Sequence, residues 1–509
     1  MKKKYDVLLI SPWSEEIKVS PMFHIMRKEI EKCSEIIFRQ KLPHFAEMQN
    51  DMGKNVLQYY ERIPISTGLL SIAAVLKNSG YSVKYISLDY YKDRDNAHWL
   101  EDTLKQELDS VKYLVGVTSV TPEINRAIKI LEMCKKIKPE VYTVIGGPHV
   151  SYLPEIYASK ECVDFVSRGE GEYTILELTH AISENLSVDG IKGLTYKKGN
   201  TICNTADREL CDLKELPDPA YELLPANDRQ RFKYHTYFSR GCCNKCDYCV
   251  EGIFFGPQKR FRRVDKFIDE LEKFSEEYGW KYIHVFDSDF VQANPYIEQI
   301  CDEIEKRQLD IILSINVSPR LHKMIDKSLL SKMVKSGFKE FLIGSETASE
   351  SVINNLNRKQ TFDDVLKTTE MLKDVEAPIV STYWVVGLPG ETRTTLLETI
   401  KAVDYLFKNN LIYHGSAKMF VPYPGTAVCN KLTDFGIEIV NHEWEYYDRY
   451  NFPPAYINKN ISVFELYEFV NLFHAMQLSY FTKRTGREYE CYQENLDNIS
   501  KLFSNAIYL

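Results

Sequence analysis

Short β-rich hydrophobic runs alternate with segments of helical period over the first part of the chain. The runs predict five strands: Asp6–Ile10, Ser82–Leu88, Tyr113–Ser119, Val141–Gly146 and Phe165–Val166. Helical segments such as Thr67–Asn78 and Pro122–Lys136 lie between them, and this alternation is typical of a parallel sheet. We therefore predict a doubly wound α/β domain, Rossmann- or flavodoxin-like, over residues 1–185.

The alternation of strands and helices stops after residue 185 and resumes at residue 233. Residues 186–232 have the turn-rich texture of a linker, and Leu216-Pro217-Asp218-Pro219 restricts the backbone to extended forms. Six further strands are then predicted: Tyr234–Ser239, Tyr282–Phe286, Ile311–Ile315, Phe338–Ile343, Ile379–Val386 and Ser416–Val421. Because six βα units are too few to close an eight-stranded barrel, we expect an open (βα)6 partial barrel over residues 233–428.

Residues 429–509 predict a small, mostly helical C-terminal region. An amphipathic helix is expected at Val463–Tyr480. The region is also rich in aromatic residues, namely Trp444, Tyr446, Tyr447, Tyr450 and Phe452. These side chains could line a substrate cavity or form an ordinary helical core, and the core is the simpler interpretation.

Composition narrows the class of protein. Hydrophobic residues make up 44% and charged residues 27%, which is typical of a globular protein. The net charge of −8 argues against a nucleic-acid-binding surface. The apolar runs Val7–Ile10 and Ile379–Leu388 are too short for a signal peptide or a membrane span. We expect a cytoplasmic protein with no membrane span.

Four of the twelve cysteines crowd between Cys242 and Cys249, in the loop after the first barrel strand. Cys246 and Cys249 can be joined by either Cys242 or Cys243 as a third ligand. Three thiolates in a short loop can hold three irons of a [4Fe–4S] cluster and leave the fourth iron open to an external ligand. The alternative is a zinc site that all four cysteines complete, in a non-catalytic scaffold.

The spacing Cys242-x3-Cys246-x2-Cys249, after a strand that opens a six-unit barrel, resembles the radical S-adenosylmethionine superfamily. The resemblance implies that Cys242, Cys246 and Cys249 bind a [4Fe–4S] cluster whose open iron is chelated by S-adenosylmethionine. Reductive cleavage of this ligand then yields a 5′-deoxyadenosyl radical. The residues that the resemblance places near S-adenosylmethionine are Tyr248, Asp287, Ser288, Asp289, Gly344, Glu346 and Gly387. Asp287-Ser288-Asp289 departs from the Gly-Gly-Glu form of many members.

The first domain resembles the cobalamin-binding domain of one branch of this superfamily. The matching stretches include Pro64–Leu70, Val115–Pro122, Gly146–His149 and Val166–Glu172. The implied cobalamin contacts are Ser11, Pro12, Thr67, Gly68, Thr118, Ser119, Val120, Gly146, Gly147, His149, Gly169, Glu170, Gly171 and Glu172. The domain has no Asp-x-His-x-x-Gly element, so cobalamin would bind without a lower axial histidine, and His149 is expected at the rim of the pocket.

The two resemblances together imply methylation of an unactivated carbon. One S-adenosylmethionine would methylate cobalamin, and a second would generate the radical that removes hydrogen from the substrate. Oxidative cyclisation or ring rearrangement with the same cofactors is the alternative. The implied partners are a small-molecule or peptide substrate and an external electron donor of the flavodoxin or ferredoxin type.

Overall fold

The computed structural model describes residues 4–14, 40–42, 63–93, 96–451 and 454–485. The strands of its first part are β1 Tyr5–Ser11, β2 Ile63–Pro64, β3 Val83–Ser87, β4 Val111–Thr118, β5 Tyr142–Gly146, β6 Phe165–Ser167, β7 Leu194–Lys198 and β8 Thr201–Asn204. Seven of them form one sheet in the order β3-β1-β4-β5-β6-β7-β8. The first five in that order are parallel, and their chain order, 2-1-3-4-5, is the flavodoxin-like doubly wound order. The predicted fold of this domain is confirmed.

Helices cover both faces of this sheet. They are α1 Thr67–Asn78, α2 Leu88–Tyr91, α3 Trp99–Leu108, α4 Ile124–Ile137, α5 Pro148–Tyr152, α6 Pro154–Ala158 and α7 Glu172–Ser183. In β1, Val7 and Leu9 belong to one hydrophobic core, whereas Leu8 and Ile10 belong to the other. Burial on both faces explains why β1 is continuously apolar, as is usual for parallel strands between helix layers.

Residues 194–204, which fall in the segment predicted as a linker, form an antiparallel hairpin. Its strand β7 pairs with β6, and β8 pairs with β7, so the hairpin extends the first sheet. A short strand, β9 Phe232–Lys233, pairs with β2 and ties the end of this segment back to the first part of the chain.

The second sheet belongs to the barrel. The strands that follow β9 are β10 His235–Thr236, β11 Ser239–Arg240, β12 Arg260–Phe261, β13 Tyr282–Val285, β14 Ile312–Val317, β15 Phe338–Glu346, β16 Ile379–Val386 and β17 His414–Met419. Six of them form a parallel sheet in the order β10-β13-β14-β15-β16-β17. Among the described residues the edge strands β10 and β17 do not pair with each other, so the barrel is open, as predicted.

Helices connect the barrel strands and cap the end of the chain. They are α8 Glu251–Phe254, α9 Val264–Glu276, α10 Asn294–Lys306, α11 Leu321–Met324, α12 Lys327–Lys335, α13 Glu350–Asn354, α14 Phe362–Asp374, α15 Arg393–Lys408, α16 Ala427–Asn430 and α17 Val463–Thr485. No helix in the described ranges has both the length and the apolar composition needed to cross a membrane.

The first barrel strand is interrupted, whereas the sequence predicts one continuous run. The Asp287 carboxylate accepts hydrogen bonds from the backbone N–H groups of Phe238 (2.8 Å) and Ser239 (3.1 Å). These donors are therefore withdrawn from the parallel sheet. Ser239–Arg240 instead pairs antiparallel with β12, and this pairing closes the cysteine loop at its base.

The C-terminal region contains a small sheet as well as the predicted helix. Strands β18 Ile437–Ile439 and β19 Tyr456–Asn458 pair antiparallel. The aromatic residues have different environments, since Tyr447 is buried and Trp444 packs edge-on against His149 of the first domain at 4.8 Å. Tyr450 instead lies beside Lys418 at the barrel mouth. Phe452 lies outside the described residues.

Candidate active site

The cysteine loop follows β11 at the carboxyl-terminal edge of the barrel. Gly241 has a φ of 93°, and a Cβ there would meet the Gln258 carbonyl oxygen at 2.2 Å, so the chain needs glycine to enter the loop. Cys242 is 9% exposed and Cys246 is 8% exposed. Cys243 differs, because it is exposed and its Sγ donates to Gln292 Oε1 at 3.4 Å. The structure thus separates Cys243 from the two buried cysteines.

The chemistry and spacing of the thiols fit an iron–sulfur cluster. In the part of the chain that the structure describes, no three His, Cys, Asp or Glu side chains converge closely enough to bind one metal ion. A zinc site would draw four sulfurs onto a single ion. A [4Fe–4S] cluster requires wider spacing, since each thiolate binds a different iron. Burial raises the pKa of Cys249 to about 12, so cluster binding at this position would have to displace a proton.

Arg358 connects the cysteine loop to the end of β15. Its guanidinium donates to Cys246 Sγ at 3.7 Å, to the Tyr248 hydroxyl at 3.0 Å and to the Gly344 carbonyl at 2.8 Å. It also forms an ion pair with Glu346 at 3.3 Å. Three of the residues predicted near S-adenosylmethionine, Tyr248, Gly344 and Glu346, are therefore brought together around one cation. Glu346 has a φ of 62°, a left-handed conformation that is rare for a non-glycine residue and is common at functional sites.

The acidic residues after β13 accept hydrogen bonds from the protein itself. Asp287 is 1% exposed, and its carboxylate is taken up by the N–H groups of Phe238 and Ser239 and by the Ser239 hydroxyl. Asp289 is equally enclosed, accepting hydrogen bonds from Gln292 Nε2 (3.0 Å) and Ser318 N (3.1 Å). Both carboxylates hold loops in place, and their predicted contact with S-adenosylmethionine stays a prediction.

Ser288, predicted together with these carboxylates, also contacts the protein. Its hydroxyl donates to the Gly241 carbonyl at 3.0 Å and accepts from Lys259 Nζ at 3.0 Å. It therefore braces the start of the cysteine loop.

Gly387 lies in a turn held by a buried carboxylate. Its N–H donates to Glu391 Oε2 at 2.6 Å, and the Leu388 N–H donates to the same oxygen at 3.0 Å. A Cβ on Gly387 would meet the Tyr456 hydroxyl at 2.3 Å. The Gly387 N–H is thus used inside the protein, and the predicted contact of this residue with S-adenosylmethionine stays a prediction.

A cavity of about 420 Å³ lies between the first sheet and the barrel. Its first-domain wall contains nine of the fourteen residues predicted to contact cobalamin: Thr67, Gly68, Thr118, Gly146, Gly147, Gly169, Glu170, Gly171 and Glu172. Its barrel wall contains Tyr237, Ser239, Arg240, Glu251, Phe254, Phe255 and Phe286. The cavity therefore adjoins the base of the cysteine loop.

The cavity wall has two features that a bound ligand such as cobalamin would complete. A Cβ built on Gly68 meets nothing within 4 Å, so the backbone there leaves open space that a ligand can approach closely. Ser167 also lines the cavity, and its buried Oγ has no hydrogen-bond partner among the described residues. Open backbone and an unpaired hydroxyl are features that a bound group would complete.

Glu170 and Glu172 line the cavity, but their carboxylates are engaged by the barrel. Arg240, two residues before Cys242, pairs with Glu170 at 3.0 Å and with Glu172 at 2.7 Å, and Arg260 pairs with Glu170 at 2.9 Å. Burial acts to raise the pKa of Glu170, yet Arg260 and Arg240 hold it below its ordinary value. These ion pairs fix the cavity wall to the cysteine loop.

Five predicted cobalamin contacts, Ser11, Pro12, Ser119, Val120 and His149, lie outside the cavity wall. His149 is 2% exposed, and its ring nitrogens are hydrogen-bonded to the Tyr157 hydroxyl (2.7 Å) and to Thr121 Oγ1 (3.2 Å). Burial lowers its pKa to about 4, so the ring is neutral at pH 7. The ring therefore belongs to the interior of the first domain, and the predicted place of His149 at the rim of the cobalamin pocket stays a prediction.

Sequence reasoning missed Arg358, Arg240, Arg260 and the three phenylalanines of the barrel wall. Arg358 is 112 residues from Cys246 and lies outside any recognised spacing. Arg240 immediately precedes Gly241 in the cysteine loop, so its proximity to the motif was a usable signal.

Family models match both parts of the chain. A model described as the radical SAM superfamily matches residues 236–403, and a model described as the B12 binding domain matches residues 54–179. The two ranges contain the cysteine loop and most of the first-domain cavity wall.

Curated relatives match about two thirds of the chain. An uncharacterized methyltransferase from Pyrococcus horikoshii is 30% identical over 334 residues, which cover 63% of this chain and 70% of the relative. An anaerobic magnesium-protoporphyrin IX monomethyl ester cyclase from Rubrivivax gelatinosus is 27% identical over 369 residues, which cover 69% of this chain and 63% of that protein.

A solved structure has the same fold. The radical S-adenosylmethionine methyltransferase TsrM from Kitasatospora setae, with cobalamin and a [4Fe–4S] cluster bound, superimposes with a TM-score of 0.66 at 14% identity. The superposition covers 96% of this chain and 90% of TsrM. With the cysteine loop, the adjoining cavity and the matches to both domains, this chain belongs to the radical S-adenosylmethionine enzymes that carry a B12-binding domain before the barrel.

Proposed function

We propose that this chain methylates a carbon atom of a small-molecule or peptide substrate, using a [4Fe–4S] cluster, S-adenosylmethionine and cobalamin. The observation that carries the proposal is the shared cavity, whose wall joins the strand ends of the first sheet to residues beside the cysteine loop. Reacting groups held on the two sides of one cavity can reach the same substrate without diffusing apart.

When bound, the cluster with S-adenosylmethionine supplies radical hydrogen abstraction, and cobalamin supplies the methyl group. The residues that would hold three irons are Cys242, Cys246 and Cys249. Arg358 fixes Glu346 by an ion pair at 3.3 Å, which supports the prediction that this carboxylate lies near S-adenosylmethionine.

The barrel wall of the cavity supports radical chemistry by excluding water. Phe254, Phe255 and Phe286 line this side, and Phe286 is 51% exposed although it is a large apolar residue. An exposed aromatic side chain in a cavity wall is favourable when a ligand covers it. These side chains would shield reactive groups from solvent and from competing hydrogen donors.

Oxidative cyclisation or ring rearrangement is the second candidate. It is favoured by one observation, the 27% identity to the cyclase from Rubrivivax gelatinosus. The product separates the two candidates: methylation adds one CH2 to the substrate, whereas oxidative cyclisation removes hydrogen and rearrangement leaves the mass unchanged.

The cluster also requires an electron source. We propose a flavodoxin- or ferredoxin-type donor and a cytoplasmic location, because cellular reductants there keep cysteine thiols available for cluster assembly. Exposure of Cys243 beside the buried cysteines marks the side of the loop that is nearest to solvent.

The first test is cofactor content after anaerobic production with iron, sulfide and hydroxocobalamin supplied. We expect about four irons and about one cobalamin per chain. Cys246→Ala should lose the iron, whereas Cys243→Ala, which removes the exposed thiol of the same loop, should keep it. Retention of iron in Cys246→Ala would contradict the assigned ligands. Labelled methyl groups from S-adenosylmethionine should then be sought in the product.

A further inference from the structure

Two cations, Lys418 and Arg449, lie near each other at the barrel mouth. Lys418 is near the end of β17, and Arg449 belongs to the loop beside it, where the Arg449 carbonyl accepts from the Met419 N–H at 3.0 Å. Within the described part of the chain, neither side chain has an acidic oxygen within 4.0 Å. By contrast, Arg240 and Arg358 each pair with a carboxylate.

Tyrosines surround the two cations. Lys418 Nζ lies 4.6 Å from the centre of the Tyr383 ring and 5.7 Å from that of Tyr450. Burial raises the pKa of Tyr423 to about 12, and Arg449 is the nearby charge that opposes this rise. Aromatic faces attract cations, but they replace only part of the hydration that the cations lose.

The position of this group is fixed by strand register. Tyr383 pairs with Gly344 on one side and with Ser416 on the other, so Lys418 is one pleat further toward the carboxyl edge. The side chains therefore lie at the same barrel mouth as Gly344 and Glu346. Two carboxylates lie close enough to affect the cations by their charge. Glu346 acts to raise the pKa of Lys418, and Asp448 acts to raise the pKa of Arg449. Asp448 Oδ1 already accepts the Tyr450 N–H at 2.9 Å.

The charge arrangement favours a negatively charged ligand. Enclosure and the proximity of Arg449 both act to lower the pKa of Lys418. Arg449 remains solvent-accessible, so the pair faces open space and not a sealed interior. Two mutually repelling cations in a cleft are stabilised when an anion binds between them.

Resting on the proposed function, we propose that Lys418 and Arg449 bind an acidic group of the substrate, a carboxylate or a phosphate, at the barrel mouth. The substrate class is thus an organic acid or a phosphorylated compound, held by its charge while the reacting carbon points toward the cavity.

The test is calorimetric titration of the anaerobically reconstituted chain with sodium phosphate and, separately, sodium acetate, at constant ionic strength and saturating S-adenosylmethionine. The wild-type chain should bind at least one of the two, and the tighter one identifies the acidic group. Lys418→Met and Arg449→Met should each weaken binding about tenfold or more, because each removes a charged hydrogen-bond donor. Lys418→Arg should restore binding, which also controls for loss of folding.

Lys273→Met is the matched control. Lys273 also lies over a tyrosine, 5.7 Å from the Tyr278 ring centre, but it is on α9 and has Glu277 and Glu222 nearby. Its substitution should leave anion binding unchanged.

Two results would overturn the proposal. One is equal binding by the wild-type chain and Lys418→Met. The other is that the wild-type chain binds neither anion at saturating S-adenosylmethionine; if binding then appears in a titration without S-adenosylmethionine, the cations serve the carboxylate of that ligand. Neither readout needs turnover, so failure of methylation with intact anion binding would refute the proposed function alone.

Discussion

The cysteine loop and the first-domain cavity are neighbouring parts of one site, yet they are built differently. Charged side chains shape the loop, where Arg358 bridges Cys246, Tyr248, Gly344 and Glu346. Backbone shapes part of the cavity, where Gly68 and Gly169 leave open space. The structure of the loop should therefore be sensitive to changes of charge, whereas the binding of a ligand in the cavity should be sensitive to changes of volume.

The largest loss of stability is expected from a substitution where the cysteine loop and the cavity join. Arg240→Met removes the partner of buried Glu172 and one partner of Glu170, leaving carboxylate charge buried without compensation. Breaking a buried ion pair from one side typically costs about 3–5 kcal/mol. We expect a loss of this size in the free energy of unfolding, measured by urea denaturation.

The control for this change is Arg263→Met, because Arg263 pairs with Asp265 on the surface. Exposed pairs contribute little, so the stability of this variant should match the wild type. An equally small effect of Arg240→Met would show that the ion pairs do not hold the two regions together.

A pH-dependent effect is expected next, at the turn after β16. Burial raises the pKa of Glu391 to about 8, so its carboxyl stays protonated in the folded chain while it ionises in the unfolded chain. Its contribution to the free energy of unfolding is fully present below the pKa of the unfolded chain, close to 4.5. This contribution is lost as the pH rises toward 8, the pKa of the folded chain. Glu391→Gln cannot ionise, and the unfolding free energies of both proteins should be compared from pH 5 to pH 8.5.

The difference between the two unfolding curves isolates Glu391, because the buried histidines titrate equally in both proteins. The wild type should lose a few kcal/mol relative to Glu391→Gln across this range. A constant difference would mean that Glu391 is ionised in the folded chain.

A smaller effect is expected on the cluster itself. Hydrogen bonds to cluster thiolates raise the reduction potential, and Arg358 donates to Cys246 Sγ. Arg358→Gln should make the potential more negative, on the order of tens of millivolts, in a redox titration followed by electron paramagnetic resonance. Arg358→Lys keeps the charge, so its reduction potential should lie between those of the wild type and Arg358→Gln. An unchanged potential in Arg358→Gln would show that this contact does not act on the cluster.

Local patterns predict much of this molecule but not the partners of its side chains. The sequence predicts Thr67–Asn78 as a helix with the bounds that the structure has, because Ser66 caps its first turn. The cysteine spacing predicts the loop, since chelation by nearby thiols is a local property.

Asp287 and His149 show where sequence reasoning stops. Asp287 follows a strand at the ligand-binding edge, and nothing in the sequence distinguishes a carboxylate that faces a ligand from one that accepts backbone N–H groups of Phe238 and Ser239. His149 follows a glycine pair at the same kind of edge, but Tyr157 draws its ring inward. Such partners are set by tertiary packing, which a local pattern does not contain.

If the cysteine loop holds the cluster and the adjoining cavity holds cobalamin, a substitution in one region should remove its cofactor and leave the other cofactor bound. Gly68→Leu places a side chain in the open space of the cavity, and Gly190→Leu, at an exposed glycine of similar openness, is its control. The decisive measurement is the iron and cobalamin content of both variants and of Cys246→Ala after identical anaerobic reconstitution.

We predict that Gly68→Leu loses cobalamin and keeps iron, that Cys246→Ala loses iron and keeps cobalamin, and that Gly190→Leu keeps both. Cobalamin retained at wild-type levels in Gly68→Leu, or absent from the wild-type chain, would contradict the account.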